Sequence, residues 1–162
     1  MTERIEPQPG QESVWDYPRP PKVEAVSKHL VVKFNGVVIA ETRRAKRVLE
    51  TSHPPNYYFP PEDVQADFLV ARFGTTTCEW KGEASYFSIF TEADQIPVGA
   101  WYYPAPTPKY SEIQGYIAFY PQYLDCFVDG EKARAQRGDF YGGWITDDVV
   151  GPFKGEPGTE FW

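Results

Sequence analysis

Hydrophobic positions in this chain come in short runs, broken every few residues by glycine, proline, asparagine or aspartate. Residues 23–41 read VEAVSKHLVVKFNGVVIAE, where Leu30, Val32 and Phe34 alternate with Val31 and Lys33. Alternation with period two marks a half-buried strand. Asn35-Gly36 then separates two β-branched runs, and this pair tolerates the positive φ of a type I′ turn, so a hairpin is predicted here. Thr42 predicts a helix N-cap, with Ala45, Val48 and Leu49 at i, i+3 and i+4. A short helix through Glu50 is therefore expected, with Arg43, Arg44, Lys46 and Arg47 on a solvated face; a local anion site is the alternative for this basic cluster. His53-Pro54-Pro55 ends that helix. Residues 57–61 read as an extended aromatic segment, and Glu62-Asp63-Val64 as a turn or a single helical turn.

Strands are expected over 67–73 and 76–80 around Gly74, over 84–90 after a Lys81-Gly82 turn, and near 98–103. Residues 104–109 form a loop, and Ile113–Tyr120 is a strand, or a helix followed by a strand. Asp129-Gly130 marks a second hairpin within 123–135. The sum is about eight to ten short strands with one or two short helices. That is a mainly β fold, α+β at the margin, in a single domain. Residues 22–135 form this domain. An extended, proline-rich arm over 1–21 precedes it, mobile over 1–12 and docked at Trp15 and Tyr17. A tail over 136–162 follows and packs on the domain through Phe140, Tyr141, Trp144, Phe153, Phe161 and Trp162.

Composition narrows the function. The chain has 162 residues, enough for one domain with its own core. Sixteen Lys and Arg against 23 Asp and Glu give a net charge of -7, which disfavours duplex nucleic acid as a partner. Sixteen Pro and thirteen Gly argue against long helices. No run approaches the roughly 20 apolar residues of a membrane helix, so no membrane partner is expected. The N-terminus MTERIEPQPGQE has no apolar core, and two cysteines make no framework. The expectation is a soluble cytoplasmic protein with free thiols, monomeric or homodimeric.

No metal and no cofactor are expected, because His29, His53, Cys78 and Cys126 show no paired ligand spacing. Cys126, among Leu124, Phe127 and Val128, reads as a core thiol. Cys78 has Lys81 three residues on, and a nearby ammonium raises the thiolate fraction. One candidate catalytic set is thus Cys78 as nucleophile with Lys81 or His53 as the activating group. The acidic pairs Glu62-Asp63 and Asp147-Asp148 read as solvated, and no phosphate-binding loop is present. Aromatic side chains crowd the strands and turns, and an aromatic wall with a few polar groups is how small-molecule pockets look. Ordinary core and rim aromatics are the competing reading. Stacking of single-stranded nucleic acid is a third, against which the charge counts.

Several ordered motifs resemble one family. Val38-Ile39-Ala40-Glu41, Leu49-Glu50, Pro54-Pro55, Tyr57-Tyr58, Pro60 and Asp63-Val64 are similar to the opening of the DUF427 family. Thr77-Cys78, Trp80-Lys81-Gly82 and Ala84-Ser85-Tyr86 resemble its central motif, though Glu79 stands where the family usually has proline. Ala100-Trp101, Tyr103-Pro104, Gly115-Tyr116 and Ala118-Phe119-Tyr120 resemble its later motifs. The flanks around Trp15–Pro20, Phe140–Trp144 and Gly151–Gly155 look like the versions found in cyanobacteria and plants. The resemblance implies a β-tent-like domain, two antiparallel sheets meeting at an angle with a pocket between them. Zinc and methionine sulfoxide reduction, found in relatives of that architecture, are not implied, because the paired cysteines are missing. The nucleotidyltransferase label sometimes given to the family finds no motif here.

Together these readings lead to a domain that binds an unidentified small molecule. Tyr58, Trp80, Tyr86, Trp101, Tyr103 and Tyr120 would wall the pocket, Lys81 and Asp63 would orient a polar ligand, and Cys78 would sit at the edge. The alternatives are the Cys78 enzyme and a protein-interaction module that uses the arm and tail as partner surfaces.

Overall fold

The structure, a computed structural model, describes residues 5–78, 80–137 and 141–155. It is mainly β, as the alternation predicts. The strands in chain order are β1 (Glu12–Ser13), β2 (Lys22–Val26), β3 (Leu30–Phe34), β4 (Val37–Thr42), β5 (Ala45–Leu49) and β6 (Asn56–Phe59). Then come β7 (Leu69–Ala71), β8 (Thr76–Cys78), β9 (Gly82–Phe90), β10 (Gln95–Tyr102) and β11 (Ile117–Phe119). The last are β12 (Asp125–Val128), β13 (Glu131–Lys132), β14 (Arg134–Ala135), β15 (Trp144–Ile145) and β16 (Val149–Val150). Helical structure among the described residues is limited to 3₁₀ turns at Val14–Asp16, Pro61–Asp63, Ala66–Phe68 and Pro108–Ile113. None of these is long and apolar enough to cross a membrane.

Both predicted hairpins form. Asn35 and Gly36 have φ of 51° and 80° between β3 and β4, and Asp129 and Gly130 have 48° and 85° between β12 and β13. Positive φ at both central positions is the type I′ geometry, whose twist matches that of the flanking strands.

The expected helix over 42–50 does not form. Residues 45–49 are β5, which lies inside a sheet with β2 on one side and β6 on the other. The misreading has a physical cause. An interior strand is buried on both faces, so its apolar positions lose the period-two signature and mimic a helical stripe. Ala45 enters the main core, Val48 a second cluster and Leu49 a third. Nor do the basic residues share a solvated face. Arg47 is largely buried and forms ion pairs with Glu12 at 2.6 Å and Glu24 at 2.7 Å.

Two antiparallel sheets carry the domain. The larger runs β2-β5-β6-β11-β10-β9-β7, with β8 paired to β9, and the smaller runs β13-β12-β3-β4. Their facing sides make the main core. Leu30, Val32, Phe34 and Ile39 of the small sheet pack with Phe59, Ile89, Ala100 and Phe119 of the large one. Phe59 and Phe119 meet edge-to-face with centroids 5.3 Å apart. Strand alternation sends the neighbours of these residues the other way. Tyr58, Ala118, Trp101, Ala84 and Tyr86 therefore form a separate cluster on the opposite face of the large sheet.

The flanking segments are built into this body. β1 pairs in parallel with β16, and Val14, Tyr17, Leu49 and Val149 form a third apolar cluster. In the tail, Trp144 lies in the main core and donates from its indole Nε1 to the Phe119 carbonyl at 3.1 Å. The tail residues Phe140, Phe161 and Trp162 lie outside the described residues, as does Glu79.

Candidate functional site

The outer face of the large sheet carries one continuous rung of side chains. Lys46 pairs with Tyr58, Tyr58 with Ala118, Ala118 with Trp101, and Trp101 with Tyr86, so a single line crosses β5, β6, β11, β10 and β9. Ala118 is the small member. It leaves room for Tyr58 and Trp101 to reach each other across the intervening strand. The Trp101 Nε1–H donates to the Tyr58 hydroxyl at 3.2 Å, and the two rings meet edge-to-face at 6.1 Å. Tyr120 lies 4.6 Å from Trp101 and Tyr103 lies 6.4 Å from Tyr58, centroid to centroid. Tyr86 shares a hydrogen bond with the Thr76 hydroxyl.

Over this wall lies a cleft of about 320 Å³. Small-molecule sites span roughly 300–1,000 Å³, and this cleft lies at the lower end of that range. One side is closed by the connection from β8 to β9. Its carbonyls are held from the 104–107 loop: Thr107 donates its backbone N–H to Lys81 at 3.0 Å and its hydroxyl to Trp80 at 2.7 Å. The other side is closed by the Tyr141-Gly142 backbone. A side chain at Gly142 would place a Cβ 2.4 Å from the Trp101 ring, so only glycine allows this approach.

Lys81 is the most informative residue. It is only 6% exposed, and its ammonium sits 5.7 Å from the centre of the Tyr103 ring. Among the described residues it has no ion pair and no side-chain hydrogen bond. A buried charge without a partner is unfavourable, and a cation–π contact of about 0.5–2 kcal/mol offsets only part of that cost. Asn56 contributes a second unpartnered group, because its side-chain carbonyl oxygen is buried in the cleft without a hydrogen bond.

The remaining electrostatics are consistent with a dry site. Burial pushes the hydroxyls of Tyr58, Tyr103 and Tyr120 well above the ordinary tyrosine range, so they remain neutral. Burial likewise lowers the His53 imidazole to about 4, helped by the charges of Lys81, Arg19 and Lys154. His53 is therefore neutral near pH 7. Its ring meets Tyr141 edge-on at 5.1 Å, and Gln136 approaches its Nδ1 at 3.4 Å.

Of the residues singled out from the sequence, His53, Tyr58, Cys78, Trp80, Lys81, Tyr86, Trp101, Tyr103 and Tyr120 all line this one cleft. Asp63 does not. It sits in the 61–63 turn, where it accepts from the Thr42 hydroxyl at 2.7 Å and from Arg44 Nε and Nη2 at 3.0 and 3.1 Å. These donors, Arg44 first, hold its carboxyl below the usual range and tie it to the β4–β5 connection. Lys81 and Asp63 therefore do not form a pair. Asp63→Asn is expected to lower the melting temperature slightly and to leave ligand binding in the cleft unchanged. A loss of binding in titrations of that variant would contradict this placement.

The cleft also departs from the position implied by the resemblance. The space between the two sheets is filled by the main core, and no strand of the small sheet contributes to the lining. Cys78 is partly buried and lies against the Tyr103 hydroxyl. Among the described residues no hydrogen bond joins it to His53 or Lys81. Cys126 is fully buried, which raises its thiol well above the ordinary range.

Arg19, Glu50, Asn56, Ala84, Tyr141, Gly142 and Lys154 line the cleft without having been anticipated from the sequence. They come from stretches far apart in the chain, and the motifs that contain most of them do not mark them as site residues. No cluster of His, Cys, Asp and Glu among the described residues is arranged to hold a metal ion.

Residues 22–130 match the family described as a domain of unknown function, DUF427. That span is well over half of the 162-residue chain. The chain belongs to the DUF427 family. No curated protein matches it. The DUF427 match contains every aromatic residue named in the cleft except Tyr141. Arg19, Tyr141, Gly142 and Lys154 lie outside it, so the flanks complete a site whose wall the DUF427 domain provides.

Proposed function

We propose that this DUF427 protein binds a small molecule in the cleft on the outer face of its large sheet. The observation that carries the reading is Lys81, a buried cation with no counter-charge among the described residues, held over a tyrosine ring in a cleft of ligand size. Structural aromatic cores satisfy their polar groups internally. Here Lys81 and Asn56 line the same cleft, and among the described residues neither the ammonium nor the buried Asn56 carbonyl oxygen has a hydrogen-bond partner, which is the arrangement of a site that a ligand completes. The cysteine-enzyme alternative has Cys78, Lys81 and His53 in the same cleft, but among the described residues no hydrogen bond joins the thiol to either base.

Ala84 lines the cleft from β9, so Ala84→Leu adds bulk to its wall without removing a polar group. Wild-type protein and this variant would be exposed to a small-molecule cell extract, desalted and compared by native mass spectrometry. The wild type is expected to retain a mass that denaturation releases, and the variant to lose it. Identical retained masses from both, or none from either, would overturn the reading.

A further inference from the structure

We infer that the ligand of this cleft is a planar aromatic molecule bearing one anionic group, a carboxylate or a phosphate, with the anion at Lys81 and the ring against the tyrosine–tryptophan wall. The inference rests on the binding role proposed above and specifies its chemistry. Three observations carry it. First, the chain as a whole has a net charge of -7, yet the described residues lining the cleft include Arg19, Lys81 and Lys154 against Glu50 alone. A cleft of sign opposite to its surroundings concentrates the complementary ion. Glu50 faces Arg19 at 3.9 Å, and among the described residues no ion pair joins it to Lys81.

Second, a buried ammonium without a partner is satisfied by an anion, since a charge-assisted hydrogen bond is stronger where water is excluded. One such cation matches one negative group. Third, the lining is aromatic: Trp80, Tyr86 and Tyr141 are only partly buried, over the buried rings of Tyr58, Trp101, Tyr103 and Tyr120, and partly exposed aromatic rings suit offset or edge contacts with a flat ligand.

The test uses matched probes: 4-hydroxybenzoate, phenyl phosphate and the uncharged 4-hydroxybenzamide. Binding is read at millimolar concentration from the indole N–H signals in two-dimensional NMR. Trp80 and Trp101 line the cleft, whereas Trp15 and Trp144 pack elsewhere and report on non-specific effects. The expected result is that both anions shift Trp80 and Trp101, with the amide about tenfold weaker. Lys81→Met should bring acid and amide to equal affinity without lowering the melting temperature, because an uncharged side chain is easier to bury. Lys81→Gln serves if that variant does not fold.

If acid and amide bind equally to the wild type and both are lost in Ala84→Leu, the ligand class is wrong and the cleft remains a binding site. If the preference for the acid survives in the Lys81 variants, the ligand class is wrong as well. If no probe shifts Trp80 or Trp101, or the shifts persist in Ala84→Leu, both the class and the site fall.

Discussion

Replacing Trp144 by alanine is expected to destabilise the protein by about 3–5 kcal/mol, the range for truncating a large buried aromatic. Trp144 is 1% exposed and packs against Tyr57 at 5.0 Å and Phe59 at 6.0 Å, centroid to centroid. Its removal opens a cavity beside the Phe59–Phe119 contact and leaves the Phe119 carbonyl without its indole donor. A single domain is stable by only about 5–15 kcal/mol, so this one change removes a large share. The measurement is urea unfolding followed by circular dichroism, which does not depend on the lost fluorophore. Trp144→Phe should cost less, about 1–3 kcal/mol, because the ring volume is partly kept while the carbonyl is still orphaned. A loss below about 1 kcal/mol for the alanine variant would mean that β15 does not dock as described.

The importance of Trp144 was only partly legible in the chain. The sequence suggests a tail that packs, but not that the tail supplies the centre of the main core. What was legible is local. Asn35-Gly36 and Asp129-Gly130 predict their hairpins because the turn conformation depends on those two residues alone. The stretch over 42–50 misleads because the cue is not local. Ala45, Val48 and Leu49 are buried by three different clusters, and only the neighbours of β5 reveal that.

The cleft shows the same division. Alternation implies that Tyr57 and Tyr58 face opposite ways, but not which face another layer covers. The structure puts Tyr57 in the core between the sheets and Tyr58 in the cluster beneath the cleft. Asp63 stands among the family-like motif residues in the sequence, but Thr42 and Arg44 lie within reach and hold it away from the cleft. Arg19, Lys154 and Gly142 could not be read as site residues, since their proximity depends on contacts between distant parts of the chain. It follows that a piece cut to the family match at residues 22–130 would keep the aromatic wall and lose part of the rim.

His53 gives the rim a measurable signature in acid. Its environment is contested: Glu50 lies 3.8 Å from Nε2, and an ion pair there would favour the charged ring. Burial opposes that, and Lys81, Arg19 and Lys154 oppose it further, so the imidazole is held at about 4. An unfolded histidine titrates near 6.5. Above about pH 6.5 neither state carries the proton, and stability from this source is complete. As pH falls from about 6.5 to about 4, the unfolded chain takes up a proton that the folded protein refuses, so stability drops. Below about 4 both states are protonated and the loss is finished. The gap between the two values corresponds to about 3 kcal/mol. Asp63 and Asp148 titrate at lower pH and also weaken the fold in acid, so the informative quantity is a difference between proteins. Urea unfolding at pH 7 and pH 4 should show wild-type protein losing about 3 kcal/mol more than His53→Gln. Parallel losses in the two proteins would mean that His53 is hydrated in solution and that Arg19 and Lys154 do not close over it.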